Sequence, residues 1–172
     1  ALQTALSEVQ TGDWFVTQNE TSLQRTGASL AKKMGLKVAY AAAPFSAERV
    51  QAVLAHLDFL ILNAVEAQQL TAATGKTPDA LGIRDVVVTL GGDGADWFGA
   101  DGKQHYDAIP VTPVDTTGAG DTFTGYLLAG LDQGMPMAQA IALATKAGAL
   151  MVTRQGTADV IPDLSEVRAF NG

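Results

Sequence analysis

The chain contains no cysteine. Disulfide bonds, thiolate metal sites and a cysteine nucleophile are thereby excluded, and the composition suits a reducing compartment. Aromatic residues make up only 6% of the 172 residues and charged residues only 17%. Basic residues are the scarcer sign, 11 Lys and Arg against 18 Asp and Glu, for a formal net charge of −7. A protein that grips nucleic-acid phosphates carries the opposite balance, so nucleic acid is not an expected partner. Long apolar runs are also missing: the most apolar stretch, Ala138 to Val152, is interrupted by Lys146 and is too short to span a bilayer. With no membrane segment and no basic, apolar leader in view, the expected location is cytoplasmic. The Asn19-Glu20-Thr21 match to a glycosylation pattern then reads as chance.

What is present is apolar and regular. Apolar residues reach 47% and the mean hydropathy is +0.14, too apolar for a disordered acidic chain. The length suits one domain with a sizeable core. Leu2, Ala5, Leu6 and Val9 have helical spacing and predict the end of a helix. Strand-like runs at 13–18, 36–41, 58–62 and 85–90 then alternate with helical patterns at 22–34, 46–57 and 64–74. Gly35 and Gly75 stand at helix C-caps and Ser46 at an N-cap. Residues 95–98 and 104–109 predict a hairpin around Asp101-Gly102. Helices are expected at 118–131, from Pro136 to about Val152, and at 165–170, with Gly156 to Pro162 extended. The alternation predicts a single α/β domain over residues 1–172, a layered, parallel-type sheet flanked by helices. Sites in such sheets lie past the carboxyl ends of the strands; Asn63, Gly91 and Asp115 all follow strand-like segments.

The strongest local feature is Asp115-Thr116-Thr117-Gly118-Ala119-Gly120-Asp121, leading into an apolar helix. It sets small residues at a helix start, where the backbone N–H groups of Gly118, Ala119 and Gly120 can face an anion. Asp121 is unexpected there, because a carboxylate repels a bound phosphate. Either it complements the helix dipole, worth about 0.3–1 kcal/mol, or it accepts a proton from an attacking hydroxyl. Glu66, in the first turn of the 64–74 helix, has the same dipole reading. Thr89, Gly91 and Gly94 read equally well as a turn between strands.

Together with Thr122-Phe123-Thr124-Gly125, the Asp115–Asp121 run resembles the signature of the ribokinase-like, or pfkB, family of sugar kinases. Three further pieces agree in chain order. Asn63-Ala64-Val65-Glu66 is similar to the family's Asn-x-x-Glu motif, Thr89-Leu90-Gly91 with Gly94 to its nucleotide loop, and Val152-Thr153-Arg154-Gln155-Gly156 ahead of Ile161-Pro162 to the ribokinase tail. The resemblance covers about Trp14 to Phe170. It implies an ATP-dependent sugar kinase, with ribose the favoured acceptor and the small-molecule sugar and ATP as partners. Asp121 would be the general base, and Gly118, Ala119 and Gly120 the anion hole. Thr89, Gly91, Gly94 and Gly120 would line the nucleotide. Asn63 and Glu66 would act near Mg²⁺ through its waters. Asp115 and the carbonyl of Thr117 would hold a monovalent cation, K⁺ in kind, with further ligands from the loop around Arg154 to Gly156. Glu20 would contact the sugar, or else belong to a helix-entry loop in which it or Thr21 is a cap.

Other apparent motifs fail on spacing. Gly75-Lys76-Thr77 lacks the glycine of a phosphate-binding P-loop, since Leu70 stands in its place. Gly118-Ala119-Gly120 lacks the third dinucleotide-fold glycine, where Phe123 stands. His56 and His105 have no ligand-like neighbours. The family's chains are longer, and their N-terminal part, with most sugar-binding residues and a β lid, has no counterpart here. The expectation is a C-terminal portion of such a fold. Its truncated sheet edge would meet a second copy or a partner. The rival reading is a non-catalytic nucleotide-binding or assembly module.

Overall fold

The computed structural model describes Thr4 and residues 6–170. The helix expected at the start falls partly on Leu2 and Ala5, outside the described residues; Leu6 is buried. Six strands follow: β1 (Trp14–Gln18), β2 (Lys37–Ala41), β3 (Phe59–Asn63), β4 (Asp85–Thr89), β5 (Ala95–Gly99) and β6 (Gly102–Tyr106). The helices are α1 (Gln24–Lys33), α2 (Ala47–Val53), α3 (Ala64–Thr74), α4 (Ala119–Asp132), α5 (Met137–Val152) and α6 (Leu164–Ala169). The chain divides into two compact units. The first runs to Val88 and includes Asp96–Gln104; the second holds Thr89–Ala95 and everything from His105 onward.

The first unit is built on the sheet, whose strands lie in the order β1-β2-β3-β4-β5-β6. β1 pairs with β2, and β2 with β3, in parallel. Successive right-handed crossovers stepping in one direction put α1 and α2 on the same face, and the two helices touch. Continuous apolar runs make this possible: Val38 to Ala41 in β2 and Phe59 to Leu62 in β3 are buried throughout, on both strand faces. Ala28 and Ala31 of α1 are fully buried, and a side chain at Gly27 would collide with the Phe15 ring. β5 and β6 depart from the parallel pattern. Connections of a few residues between β4, β5 and β6 cannot make a parallel crossover, so these strands run antiparallel and the sheet is mixed.

The second unit is organised by α4 and α5, which a short turn makes antiparallel neighbours. Leu127, Ile141, Ala144 and Ala147 are fully buried. The helices approach closely where Gly130 faces Ala140, 3.1 Å from where a side chain on the glycine would begin. The Tyr126 hydroxyl donates to the Pro162 carbonyl at 2.6 Å, tying α4 to the entry of α6.

Several boundaries differ from those predicted. α1 begins at Gln24 with no side-chain cap, so neither Glu20 nor Thr21 caps it. Residues 46–57 divide into α2 and a 3-10 turn at Leu54–His56. The second hairpin strand starts at Gly102, not 104. Gly156 to Pro162 is not extended throughout: a 3-10 turn at Ala158–Val160 interrupts it, closed by the Val160 N–H on the Thr157 carbonyl at 3.2 Å.

Candidate functional site

In the second unit, the segment after β4 turns on Gly91–Asp93. The turn closes by the Leu90 N–H on the Gly94 carbonyl at 2.8 Å. Gly94 has φ 95°, and a side chain there would run into the Tyr106 carbonyl. Only glycine permits that approach. At the α4 start, Gly118 is the N-cap, with φ 77° and no side-chain cap. Its left-handed turn follows a carboxylate-stapled loop: Asp115 Oδ1 accepts from the Thr117 N–H at 2.9 Å, and Oδ2 from the Gly156 N–H at 3.4 Å. The Val114 and Asp115 N–H groups both donate to the Val152 carbonyl at the end of α5. The Asp115 carboxyl is held below the usual carboxylate range, chiefly by the Thr117 backbone N–H, then by the Thr117 side chain and the Gly156 N–H.

A cavity of about 360 Å³ opens between these segments, wholly within the second unit. Thr89, Gly91, Gly92 and Gly94 form one wall, and residues 108–111 with Pro113 another. Thr116, Ala119, Gly120 and Phe123 supply the α4 side, and Thr145, Gly148, Ala149 and Val152 the α5 side. Thr89, Gly91, Gly94 and Gly120, the residues expected at a nucleotide, are thus brought together, with Ala119 beside them. Gly118, Asp115, Thr117 and Asp121 belong to the same helix start but not to the wall. Asp121 is exposed in the first turn of α4. Among the N–H donors expected to face an anion, that of Ala119 donates to the Thr116 carbonyl at 3.3 Å. Those of Gly118 and Gly120 have no acceptor among the described residues. The contribution of α5 went unpredicted. Its signal was present, since Thr145, Gly148 or Ala149, and Val152 recur at three- and four-residue steps, on one helix face.

The other expected residues lie in the first unit. Asn63 and Glu66 form a capping box on α3: Asn63 Oδ1 accepts from the Glu66 N–H at 2.9 Å, and Glu66 Oε2 from the Asn63 N–H at 2.8 Å. Glu66 keeps its second carboxylate oxygen outside the box. Glu20 is exposed in the turn after β1. Its neighbour Asn19 is 4% exposed and firmly held. The Asn19 amide donates to the Pro44 carbonyl at 2.6 Å, and its Oδ1 accepts from Arg49 at 3.3 Å and Gln24 at 3.4 Å. Among the described residues no group of three or more His, Cys, Asp or Glu is arranged to hold a metal ion. No helix among them is long and apolar enough to cross a membrane.

The profile of the pfkB family carbohydrate kinases matches residues 3–164. A ribokinase of Staphylococcus aureus is 30% identical over 168 residues, which cover 90% of this chain and 55% of the relative. The chain therefore spans about half the length of the curated relatives it matches. The crystal structure of a ribokinase from Thermotoga maritima superposes with a TM-score of 0.82 at 30% identity, over 96% of this chain and 58% of that one. An Arabidopsis thaliana ribokinase complexed with ribose and ATP superposes with a TM-score of 0.80 at 26% identity, over 91% and 55%.

Proposed function

The chain belongs to the pfkB family of carbohydrate kinases, and on that premise we propose that it carries the nucleotide-binding and catalytic part of an ATP-dependent sugar kinase. The observation that carries this is the convergence of Thr89, Gly91, Gly94 and Gly120 on one cavity beside the start of α4. The cavity takes the nucleoside. The unpaired N–H groups of Gly118 and Gly120, at the positive end of the α4 dipole, meet the transferring phosphoryl. The N–H of Ala119 joins them if its long bond to Thr116 opens.

In the proposed reaction a sugar hydroxyl oxygen attacks the γ-phosphorus in line. The bond to the bridging oxygen breaks, ADP leaves, and the hydroxyl proton passes to the Asp121 carboxylate. Such transfer depends on positioning and charge stabilisation. A bound Mg²⁺ supplies charge neutralisation on the phosphates. Asn63 and Glu66 are the proposed residues near it, acting through its waters: Glu66 keeps one carboxylate oxygen outside the capping box, and among the described residues no group of three or more carboxylates or histidines is arranged to hold the ion directly. Asp115, whose carboxyl is kept ionised chiefly by the Thr117 N–H, and the carbonyl of Thr117 are the proposed holders of a monovalent cation, K⁺ in kind. Glu20 is the proposed sugar contact. Ribose is the favoured acceptor, supported by the ribokinase relatives. Operation in the cytoplasm is part of the same reading.

The test is calorimetric titration of the chain with Mg-ATP. Saturable one-site binding is expected. A folded, monodisperse sample that binds none removes the nucleotide from the cavity. Sugar-dependent ATP turnover then separates a kinase from a non-catalytic nucleotide-binding module.

A further inference from the structure

Glycine in a helix interior is disfavoured against alanine, because it loses more backbone freedom on folding. Such a glycine is accounted for by what its missing side chain leaves room for. Gly130 of α4 leaves room for packing: a side chain there would begin 3.1 Å from Ala140 Cβ and 3.2 Å from Met135 Sδ. Gly148, in the interior of α5, is different. A Cβ on it would stand 3.9 Å from the Ala119 carbonyl oxygen and 3.9 Å from Phe123 Cβ, both ordinary van der Waals contacts. Packing within the protein therefore does not demand a glycine at 148.

Gly148 lines the cavity, and so do Ala119 and Phe123, the two residues that its missing side chain would touch. At this point the α5 and α4 walls are one methyl group apart, so Gly148 stands at a narrow end of the cavity. The protein by itself would gain from a methyl group there, in helix propensity and in dispersion contacts. A ligand seated against the α5 backbone would lose, because the same methyl group would occupy its space. Sites that are already filled resist even one added carbon.

We infer that Gly148 sets the depth of the nucleotide cavity: its missing side chain lets the nucleoside seat against the α5 backbone where the α4 and α5 walls converge. This rests on the assignment of the cavity to the nucleotide, and it names the residue that decides how far a nucleoside enters. Gly148 acts through volume, with no hydrogen bond to the ligand required. A methyl group at 148 is thus favourable for the empty protein and unfavourable for the complex, and these opposite signs separate a ligand role from a packing role.

The experiment compares Gly148→Ala with Gly125→Ala. Gly125 lies in the interior of α4, exposed and outside the cavity wall, and a Cβ on it would have nothing within 4 Å. Both variants should melt no lower than the wild type, with a rise of about 1–4 °C expected. Calorimetric titration with Mg-ATP and with Mg-ADP, which share the nucleoside, then separates them. Gly125→Ala should bind both as the wild type does. Gly148→Ala should weaken both in similar ratio, by about five- to a hundredfold. Weakening by less than about fivefold, weakening confined to ATP, or equal weakening in Gly125→Ala overturns the inference and leaves the nucleotide assignment standing. So does a lowered melting temperature in Gly148→Ala, since the glycine is then a packing requirement. A folded wild-type chain that binds neither nucleotide overturns the assignment and the inference together.

Discussion

Asp121 occupies the first turn of α4, exposed, where the helix dipole favours a carboxylate whatever its role. Its chemistry is separable from that structural preference by Asp121→Asn, which preserves size while removing proton affinity. In sugar-dependent ATP turnover, kcat is expected to fall about 10²–10⁴-fold, with the dissociation constant for Mg-ATP changed only a few-fold. Unchanged kcat would remove the base assignment. The bond from the Thr117 N–H to Asp115, just before Asp121, was legible because it is local. Asn19 was not legible. Its neighbours in the fold come from Gln24, Pro44 and Arg49, and nothing in the spacing of the sequence announces that they converge.

At the scale of single elements, the Asn-x-x-Glu segment has two meanings at once. It is a capping box, which satisfies helix-start donors reciprocally, and it is the proposed neighbour of metal-bound water. Asn63→Ala is expected to lower unfolding free energy by about 0.5–2 kcal/mol, measured by urea titration. Asn63→Ser keeps a capping oxygen and should recover most of that loss. If Asn63→Ser also weakens Mg-ATP binding while stability holds, the residue does more than cap; if binding is untouched, it is a cap alone. The box at Asp163 and Glu166 starts α6 in the same way, and there no ligand role was read from the sequence. The same local grammar therefore marks helix starts with and without a proposed function. The start of α4 differs from both, with Gly118 as a cap that has no side chain and with a cavity beside it whose walls come from the end of β4, residues 108–111 with Pro113, α4 and α5 together.

Among the described residues, β1 stands at the end of the strand order, beside β2. Val16, at its centre, is 49% exposed. Open edges with exposed apolar side chains invite strand pairing, and lysine is a common protection against it. Concentration-dependent association of the chain is expected in sedimentation velocity, and Val16→Lys should suppress it with stability unchanged within about 0.5 kcal/mol. A wild-type chain that stays monomeric at high concentration would remove this reading of the edge.

The sequence by itself determined the order and kind of the elements, since the strands follow from short continuous apolar runs, the helices from an apolar period of 3.6, and their ends from caps such as Ser46 and Gly75. It also determined the glycine-rich start of α4 and its kinship. The tertiary structure alone decided the order in which the six strands lie in the sheet, that the chain forms two compact units, and that α5 supplies a wall of the cavity. It decided too that the Ala119 N–H is already engaged by Thr116. These outcomes depend on which surfaces meet after collapse. A one-dimensional pattern states which face of an element is apolar, but not which distant residues will be packed against it.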